Sequence, residues 1–150
     1  MKIIPHGAAR EVTGSCHEIQ VNGKKILLDC GLFQGHRQES AVKNAEFPFN
    51  PAEIDAMVLS HAHADHVGRV PLLSKKGFNA PIHCTYATKD LAAVMLADSA
   101  YINTKDEEYF CKYLAKSMMQ CDGPLYTIED AEECLTHFEG ENYNEWFDVC

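Results

Sequence analysis

The amino-acid sequence predicts a layered α/β domain in which helices pack on a mixed β-sheet. Three observations support this fold class: strand-like runs fill the beginning of the chain, strand–helix units follow them, and a cluster of metal-ligand residues comes directly after a buried apolar run. Strands first and strand–helix units later are typical of a sheet that carries helices on its faces. The 150 residues are enough for one domain with a sizeable core.

The beginning of the chain predicts a β-meander. Strands are expected over residues 2–6, 15–21 and 24–29. Asn22 and Gly23 stand between the second and third strands and favour a tight type I′ turn, which joins antiparallel neighbours. Residues 30–51 contain glycine, proline and a charged patch, and we expect them to form a surface excursion with a helical turn.

The next segment is expected to form a buried strand followed by a helix. Residues 54–60 contain an unbroken apolar run, which is typical of a strand covered on both faces. A helix is expected over residues 67–76, and because Pro71 lies inside it, this helix should begin late or be kinked. A short strand over residues 81–84 follows.

Three further helices are predicted in the remainder of the chain. Thr88 is expected to cap the first, which runs to about residue 102. Capping-box patterns at Thr104 and Thr127 predict a second helix to about residue 118 and a third to about residue 138. Residues 142–150 are rich in aromatic side chains, and we expect them to open another strand.

Composition and charge exclude several classes of protein. The sequence has no run of about 18 apolar residues and no signal-peptide pattern, so we expect a cytoplasmic protein without a membrane partner. The seven cysteines form no C-x-x-C pair, which favours small buried free thiols over disulfides or a thiolate zinc knuckle. The net charge is −9, and residues 90–150 carry 14 acidic against 3 basic residues, unlike a phosphate-binding surface.

The motif that carries chemistry is His61, His63, Asp65 and His66. Imidazole and carboxylate groups are good ligands for zinc and similar ions. In extended backbone, residues two apart project to the same side, so His61 and His63 can reach one ion together. His66 follows Asp65 where the chain turns into a helix, and this pair can therefore serve an adjacent ion. The alternative is a chance cluster of surface histidines, which this spacing after a buried strand disfavours.

The other histidines carry no comparable signal, and we assign them ordinary polar or packing roles. They are His6, His17, His36, His83 and His137.

The motif and its flanks resemble one particular family. The spacing His61-x-His63-x-Asp65-His66 is similar to the signature of the metallo-β-lactamase superfamily. The flanking segments resemble its β-CASP branch, the RNA-processing nucleases, which includes relatives of the nuclease that cleaves pre-mRNA at its 3′ end. These segments are 7–15 (GAAREVTGS), 28–35 (LDCGLFQG), 47–49 (FPF), 81–85 (PIHCT) and 88–91 (TKDL).

The resemblance implies a role for each motif residue. Carried over by position, His61 and His63 would bind a first zinc ion, and Asp65 and His66 a second, with Asp65 also a catalytic residue. Asp29 matches an acidic residue that orients the ligands without binding metal itself; the alternative is a turn-forming aspartate at a strand end. In the complete enzyme, a metal-bound hydroxide would attack the scissile phosphate of RNA.

The resemblance also implies that the chain is incomplete. The family pattern contains later histidine and aspartate ligands and an inserted β-CASP domain, which this chain lacks. We therefore expect residues 1–150 to be the N-terminal part of a metallo-β-lactamase αββα sandwich that is inactive alone. Two alternatives stay open: a small-molecule hydrolase acting on a thioester, lactone or phosphodiester, and a truncated fragment that requires a homo-oligomer or a complementary C-terminal half.

Overall fold

The structure is a computed structural model that describes residues 1–114 and 123–150. The strands are β1 (Lys2–Gly7), β2 (Cys16–Val21), β3 (Lys24–Leu28), β4 (Ala56–Val58), β5 (Ile82–Thr85) and β6 (Phe138–Glu141). The helices are α1 (Arg37–Ala45), α2 (Ala64–Val67), α3 (Val70–Lys75), α4 (Tyr86–Leu114) and α5 (Ile128–Leu135), and a 3₁₀ turn spans Pro51–Glu53.

The described strands form one mixed sheet in the order β1-β2-β3-β4-β5-β6. The first three are antiparallel, and β3 to β6 are parallel. Asn22 and Gly23 have φ of 51° and 80°, the left-handed backbone that a type I′ turn requires, so the predicted hairpin is confirmed. Each parallel connection passes through helices, as parallel crossovers usually do. The predicted α/β class with a mixed sheet is confirmed.

Helices cover one face of this sheet. Register neighbours on the four parallel strands form a row of core side chains that are at most 3% exposed: Leu27, Met57, Ile82 and Phe138. These residues pack in the same core as the apolar side of α3, α4 and α5. The opposite face is less covered, because Ile3 is 60% exposed and its register neighbour Ile19 is only partly buried.

The strand before the motif is shorter than predicted. Only Ala56–Val58 forms β4, whereas the apolar run predicted a strand over residues 54–60. The physical reason is that the Ser60 amide donates to the Asp29 side chain (2.8 Å) instead of to a neighbouring strand. The helix expected over residues 67–76 begins late, at Val70, as Pro71 indicated, and only Val67 of that range belongs to α2. Pro71 lies in the first turn of α3, where its missing N–H needs no partner.

The two helices predicted around Thr104 are one helix, so that prediction is wrong. Helix α4 continues through Thr104 because the threonine hydroxyl donates to the carbonyl of Ala100 (2.9 Å), four residues earlier, rather than capping a new helix. The helix also begins before Thr88: the hydroxyl of Thr85 accepts from the Thr88 amide (3.2 Å). The predicted end near residue 118 lies outside the described residues.

The third predicted helix begins where expected and ends earlier. Thr127 caps α5 in a full capping box, since its hydroxyl accepts from the Asp130 amide and the Asp130 carboxylate accepts from the Thr127 amide. The helix ends at Leu135 rather than near residue 138 because Phe138 begins β6 and pairs with Ile82. The strand expected within residues 142–150 is not formed.

Four of the described cysteines are the buried free thiols that the sequence predicted, and two are not. Cys16, Cys30, Cys84 and Cys134 are free and buried, and burial raises the pKa of the Cys134 thiol to about 12. Cys150 is free but exposed, and Cys111 is disulfide-bonded, which the sequence analysis did not predict. Cys121 lies outside the described residues.

Among the described helices, none combines the length and the apolar character that crossing a bilayer requires.

Candidate metal centre

The four predicted ligands lie where the chain passes from β4 into α2. His61 is in the connecting loop, His63 is the N-cap residue of α2, and Asp65 and His66 belong to the helix itself. His61 and His63 thus lie in the loop after the strand, and Asp65 and His66 lie in the helical turn.

Backbone hydrogen bonds from two loops fix the position of α2. A helix of a single turn leaves most of its carbonyl groups without partners inside the helix. Here the loops before β2 and after β3 supply the missing donors, so the motif is held by the strands of the meander as well as by β4. The bonds are Ser15 N to Asp65 O (2.8 Å), Cys30 N to His66 O (2.8 Å) and Leu32 N to Ala64 O (2.9 Å).

The motif side chains form two adjacent pairs. His61 Nε2 lies 3.1 Å from His63 Nδ1, and Asp65 Oδ2 lies 3.6 Å from His66 Nε2. The rings of His61 and His66 are 3.9 Å apart between centroids, so the pairs are neighbours. Two ligands of one zinc ion, with bonds of about 2 Å, are roughly 3 Å apart. The first pair already has this spacing.

Asp29 fixes the orientation of His66. Its Oδ2 accepts hydrogen bonds from Ser15 Oγ (3.0 Å), Ser60 Oγ (3.0 Å) and His66 Nδ1 (2.8 Å), and Asp29 is only 6% exposed. Because an ionised carboxylate can only accept, His66 carries its proton on Nδ1. In the neutral ring, Nε2 then carries a lone pair on the side of Asp65, which is the form that binds a metal. The sequence analysis selected neither serine, although Ser60 directly precedes the motif.

Ser60 orients His61 in a similar way. The Ser60 hydroxyl uses its proton on Asp29, so it accepts from His61 Nδ1 (3.0 Å) and leaves His61 Nε2 unprotonated toward His63. Burial lowers the pKa of His61, and the electrostatic effect of the neighbouring His66 and His63 rings lowers that pKa further. Both causes favour the neutral imidazole, which is the form a metal ion needs.

Asp29→Asn is expected to weaken zinc binding by about 10- to 100-fold, the usual effect of removing the partner of a metal-binding histidine. Asparagine tolerates the left-handed backbone of Asp29 (φ 58°), so the fold should remain. The asparagine NH₂ group, however, would face the His66 N–H and favour the opposite tautomer. Zinc titration of the purified variant measures the change.

Asp55→Asn provides the matched control for this substitution. Asp55 accepts from the Lys24 ammonium and the Lys25 amide near the start of β4 and contacts no motif residue. The zinc affinity of the Asp55→Asn variant should equal that of the unmodified protein. An equal loss in both variants would show that Asp29 has no specific role in orienting the ligands.

Arg69 is a structural residue of the site that the sequence analysis missed. Its side chain is buried, donates from Nε to the Gly31 carbonyl (2.8 Å), and donates from Nη1 to the Lys43 carbonyl (3.1 Å). The guanidinium lies 4.8 Å from the ring centroids of both Phe33 and Phe47. It thereby links α1 to the loop that holds α2. The available signal was an arginine between apolar helical segments, directly after Gly68.

Two of the remaining histidines have the ordinary roles expected of them. His6 Nε2 lies 2.9 Å from Glu18 Oε2 and its ring lies against Phe49, and the ring of His137 lies edge-on to Phe78.

Comparisons with known proteins give consistent results. The sequence pattern of the metallo-beta-lactamase superfamily matches residues 9–100. A ribonuclease of Thermus thermophilus is 44% identical over 146 residues, which are 97% of this chain and 29% of that protein. Cleavage and polyadenylation specificity factor 73 of Drosophila melanogaster is 33% identical over 99% of this chain and 20% of its own length. Transcription termination factor FttA of Methanococcus maripaludis is 35% identical over 77% of this chain and 18% of its own length.

Proposed function

This chain belongs to the metallo-β-lactamase superfamily, and on that premise we propose that it is the N-terminal segment of a zinc-dependent, β-CASP-type ribonuclease that hydrolyses RNA phosphodiester bonds. The observation that carries the proposal is the arrangement of the motif into two adjacent ligand pairs at the end of β4, with Asp29 hydrogen-bonded to His66.

The relatives support RNA as the substrate. One is named a ribonuclease and another a cleavage factor, which agrees with the predicted resemblance to RNA-processing nucleases. The acidic surface of residues 90–150 is poorly suited to phosphate, so the RNA contacts of the complete protein are expected to come from other segments and from bound metal ions.

The donor set of the motif fits a pair of zinc ions. His61 and His63 would hold the first and Asp65 and His66 the second, with an unprotonated ring nitrogen of His61 and of His66 turned toward the partner in its pair. Imidazole with carboxylate is a common zinc environment. Catalytic zinc usually has about three protein ligands and a water molecule, so each site needs ligands beyond these four.

The residues of this chain would orient the ligands, and Asp65 would lie next to the reacting groups. When bound, a zinc pair supplies a water molecule that ionises near neutral pH and positive charge that stabilises the phosphate oxygens in the transition state. The hydrogen bonds from His66 to Asp29 and from His61 to Ser60 hold both imidazoles in the metal-binding tautomer.

The chain spans less than a third of the length of the relatives it matches. We propose that residues 1–150 are the N-terminal part of the metallo-β-lactamase domain and that the closing ligands and the RNA-binding cleft come from other segments of the complete protein. Activity is accordingly proposed for the complete protein, and not for the isolated chain.

Removal of zinc from the complete protein is expected to abolish cleavage of a labelled RNA, and added zinc should restore it. The reason is that hydrolysis without the ions lacks both the activated water and the charge stabilisation. The measurement is gel analysis of RNA after chelation and after reconstitution, with the isolated 150-residue chain as an inactive control. Cleavage that survives complete removal of zinc would contradict the proposal.

The same preparation separates the alternative substrates. Thioester, lactone and small phosphodiester substrates are assayed beside the RNA. Hydrolysis of one of these with RNA left uncut would favour the small-molecule hydrolase.

A further inference from the structure

A second cluster of metal-ligand side chains lies on β5 and β6, outside the motif. His83 of β5 and Glu139 and Glu141 of β6 place their ligand atoms within 4.8 Å of one another. His83 Nδ1 is 2.7 Å from Glu141 Oε1 and 3.8 Å from Glu139 Oε2. The side chain of His83 is only 6% exposed, whereas Glu139 reaches solvent.

The backbone brings these three side chains together. In the parallel pair of strands, His83 is the register partner of Glu139, and Thr85 is the register partner of Glu141. Because side chains alternate along a strand, all of these residues project from the same face of the sheet. The cluster therefore follows from strand register and does not depend on one flexible side chain.

Both ring nitrogens of His83 face oxygen atoms that accept hydrogen bonds. His83 Nε2 lies 3.3 Å from the carbonyl oxygen of Val149, which can only accept, and Nδ1 lies 2.7 Å from the Glu141 carboxylate. A neutral imidazole carries one N–H and can donate to only one of these acceptors. When the proton is on Nε2, Nδ1 presents a lone pair to the carboxylates of Glu141 and Glu139. Either a second proton or a cation must lie between these atoms.

We propose that this cation is a zinc ion, held by His83 Nδ1 and the carboxylates of Glu139 and Glu141. One imidazole and two carboxylates, with a water molecule in the fourth position, form a tetrahedral donor set that suits zinc. A metal-binding histidine commonly donates its other N–H to a backbone carbonyl, which is the relation of His83 to Val149. Two carboxylates beside one imidazole also favour a divalent ion over a single proton.

The ion would fasten the end of the described chain to the strand beside the motif. Phe147 stacks on the His83 ring with 5.4 Å between centroids, so residues 142–150 are held through the same side chain. The His83 carbonyl accepts from the amide of Leu59 (2.9 Å), two residues before His61. Zinc at this site would thus stabilise the strand end from which the catalytic motif begins, without belonging to the motif.

A variant that lacks the motif histidines isolates this site. In the protein with His61, His63 and His66 all replaced by alanine, titration with zinc chloride is expected to show one bound ion and a rise in Tm. Adding Glu141→Gln should weaken that binding at least tenfold. Glu145→Gln is the matched control, because Glu145 is an exposed acid of the same segment whose carboxylate contacts Asn142. The zinc affinity of this control variant should be unchanged.

Two results would overturn the proposal: no zinc uptake by the motif-less variant, or equal affinity with and without Glu141→Gln. In either case His83 is an imidazolium that bridges Glu141 and the Val149 carbonyl. If the motif-less variant does not fold, elemental analysis of the protein with an intact motif decides instead. Glu141→Gln should then lower the zinc content by one ion, and an unchanged content overturns the proposal. Because zinc binding is measured without RNA, failure here leaves the proposed ribonuclease function untouched.

Discussion

Replacing His63 with alanine is expected to lower RNA cleavage by the complete protein by roughly 10³-fold or more and to release zinc from the first site. His63 Nδ1 is 3.1 Å from His61 Nε2, and its loss leaves His61 to bind that ion without its partner. A metal ion contributes several kcal/mol to stabilising a hydrolytic transition state, and each 1.36 kcal/mol is about tenfold in rate. His63 is exposed, so the stability of the zinc-free protein should change little.

The measurements for this variant are zinc content and initial cleavage rate at saturating RNA. His36→Ala is the matched control, because His36 is also an exposed histidine at a helix N-cap and makes no side-chain capping bond. It should retain both zinc and activity. If His63→Ala cleaved RNA at the unmodified rate, the assignment of the motif as the catalytic metal centre would be wrong.

Gly31→Ala is expected to destabilise the protein by about 3 kcal/mol or more and to weaken zinc binding at the motif at least tenfold. A Cβ atom at Gly31 would lie 1.7 Å from Asp65 O and 2.5 Å from His66 N, which is far inside contact distance. Neither neighbour is a flexible side chain, so the loop after β3 and helix α2 must separate. That movement breaks the hydrogen bond from the Cys30 amide to the His66 carbonyl. Denaturant unfolding and zinc titration measure the two effects.

Gly23→Ala separates this contact from a general effect of replacing glycine. Gly23 lies in the β2–β3 turn with φ of 80°, and no atom is within 4 Å of a Cβ built there. It should cost roughly 1 kcal/mol through backbone strain alone and leave zinc affinity unchanged. Equal losses of stability and of zinc affinity in Gly31→Ala and Gly23→Ala would show that the Gly31 contact does not position the motif.

The local elements that the sequence predicted well are those with a short-range physical cause. The Asn22–Gly23 turn and the Thr127 capping box involve residues within four positions of each other, so their geometry follows from neighbouring side chains and backbone. The predicted break at Thr104 failed because a capping pattern is also compatible with a continuous helix. There the hydroxyl donates back to Ala100, and residues on both sides remain in α4.

For the candidate site, sequence spacing predicted the residues of the motif and their division into two pairs. The role of Asp29 was expected from family resemblance, and its hydrogen bond to His66 spans 37 positions of the chain. Ser15 and Arg69 escaped prediction because their significance depends on contacts with distant loops: Ser15 with Asp29 and α2, and Arg69 with Phe33 and Phe47. The neighbouring sequence does not show which distant residues they contact.

By itself, the sequence determined the candidate metal-binding motif of this protein, which consists of imidazoles and a carboxylate after a buried strand, and the mixed α/β class of its fold. Ligand type and spacing along one strand and one helical turn are local properties, so they can be read from consecutive residues. Only the tertiary structure decided which hydrogen-bond partners the histidines have, how closely the loop at Gly31 approaches α2, and that His83 contacts two glutamates more than fifty positions away. Those features depend on strand register and loop packing, which bring distant residues together.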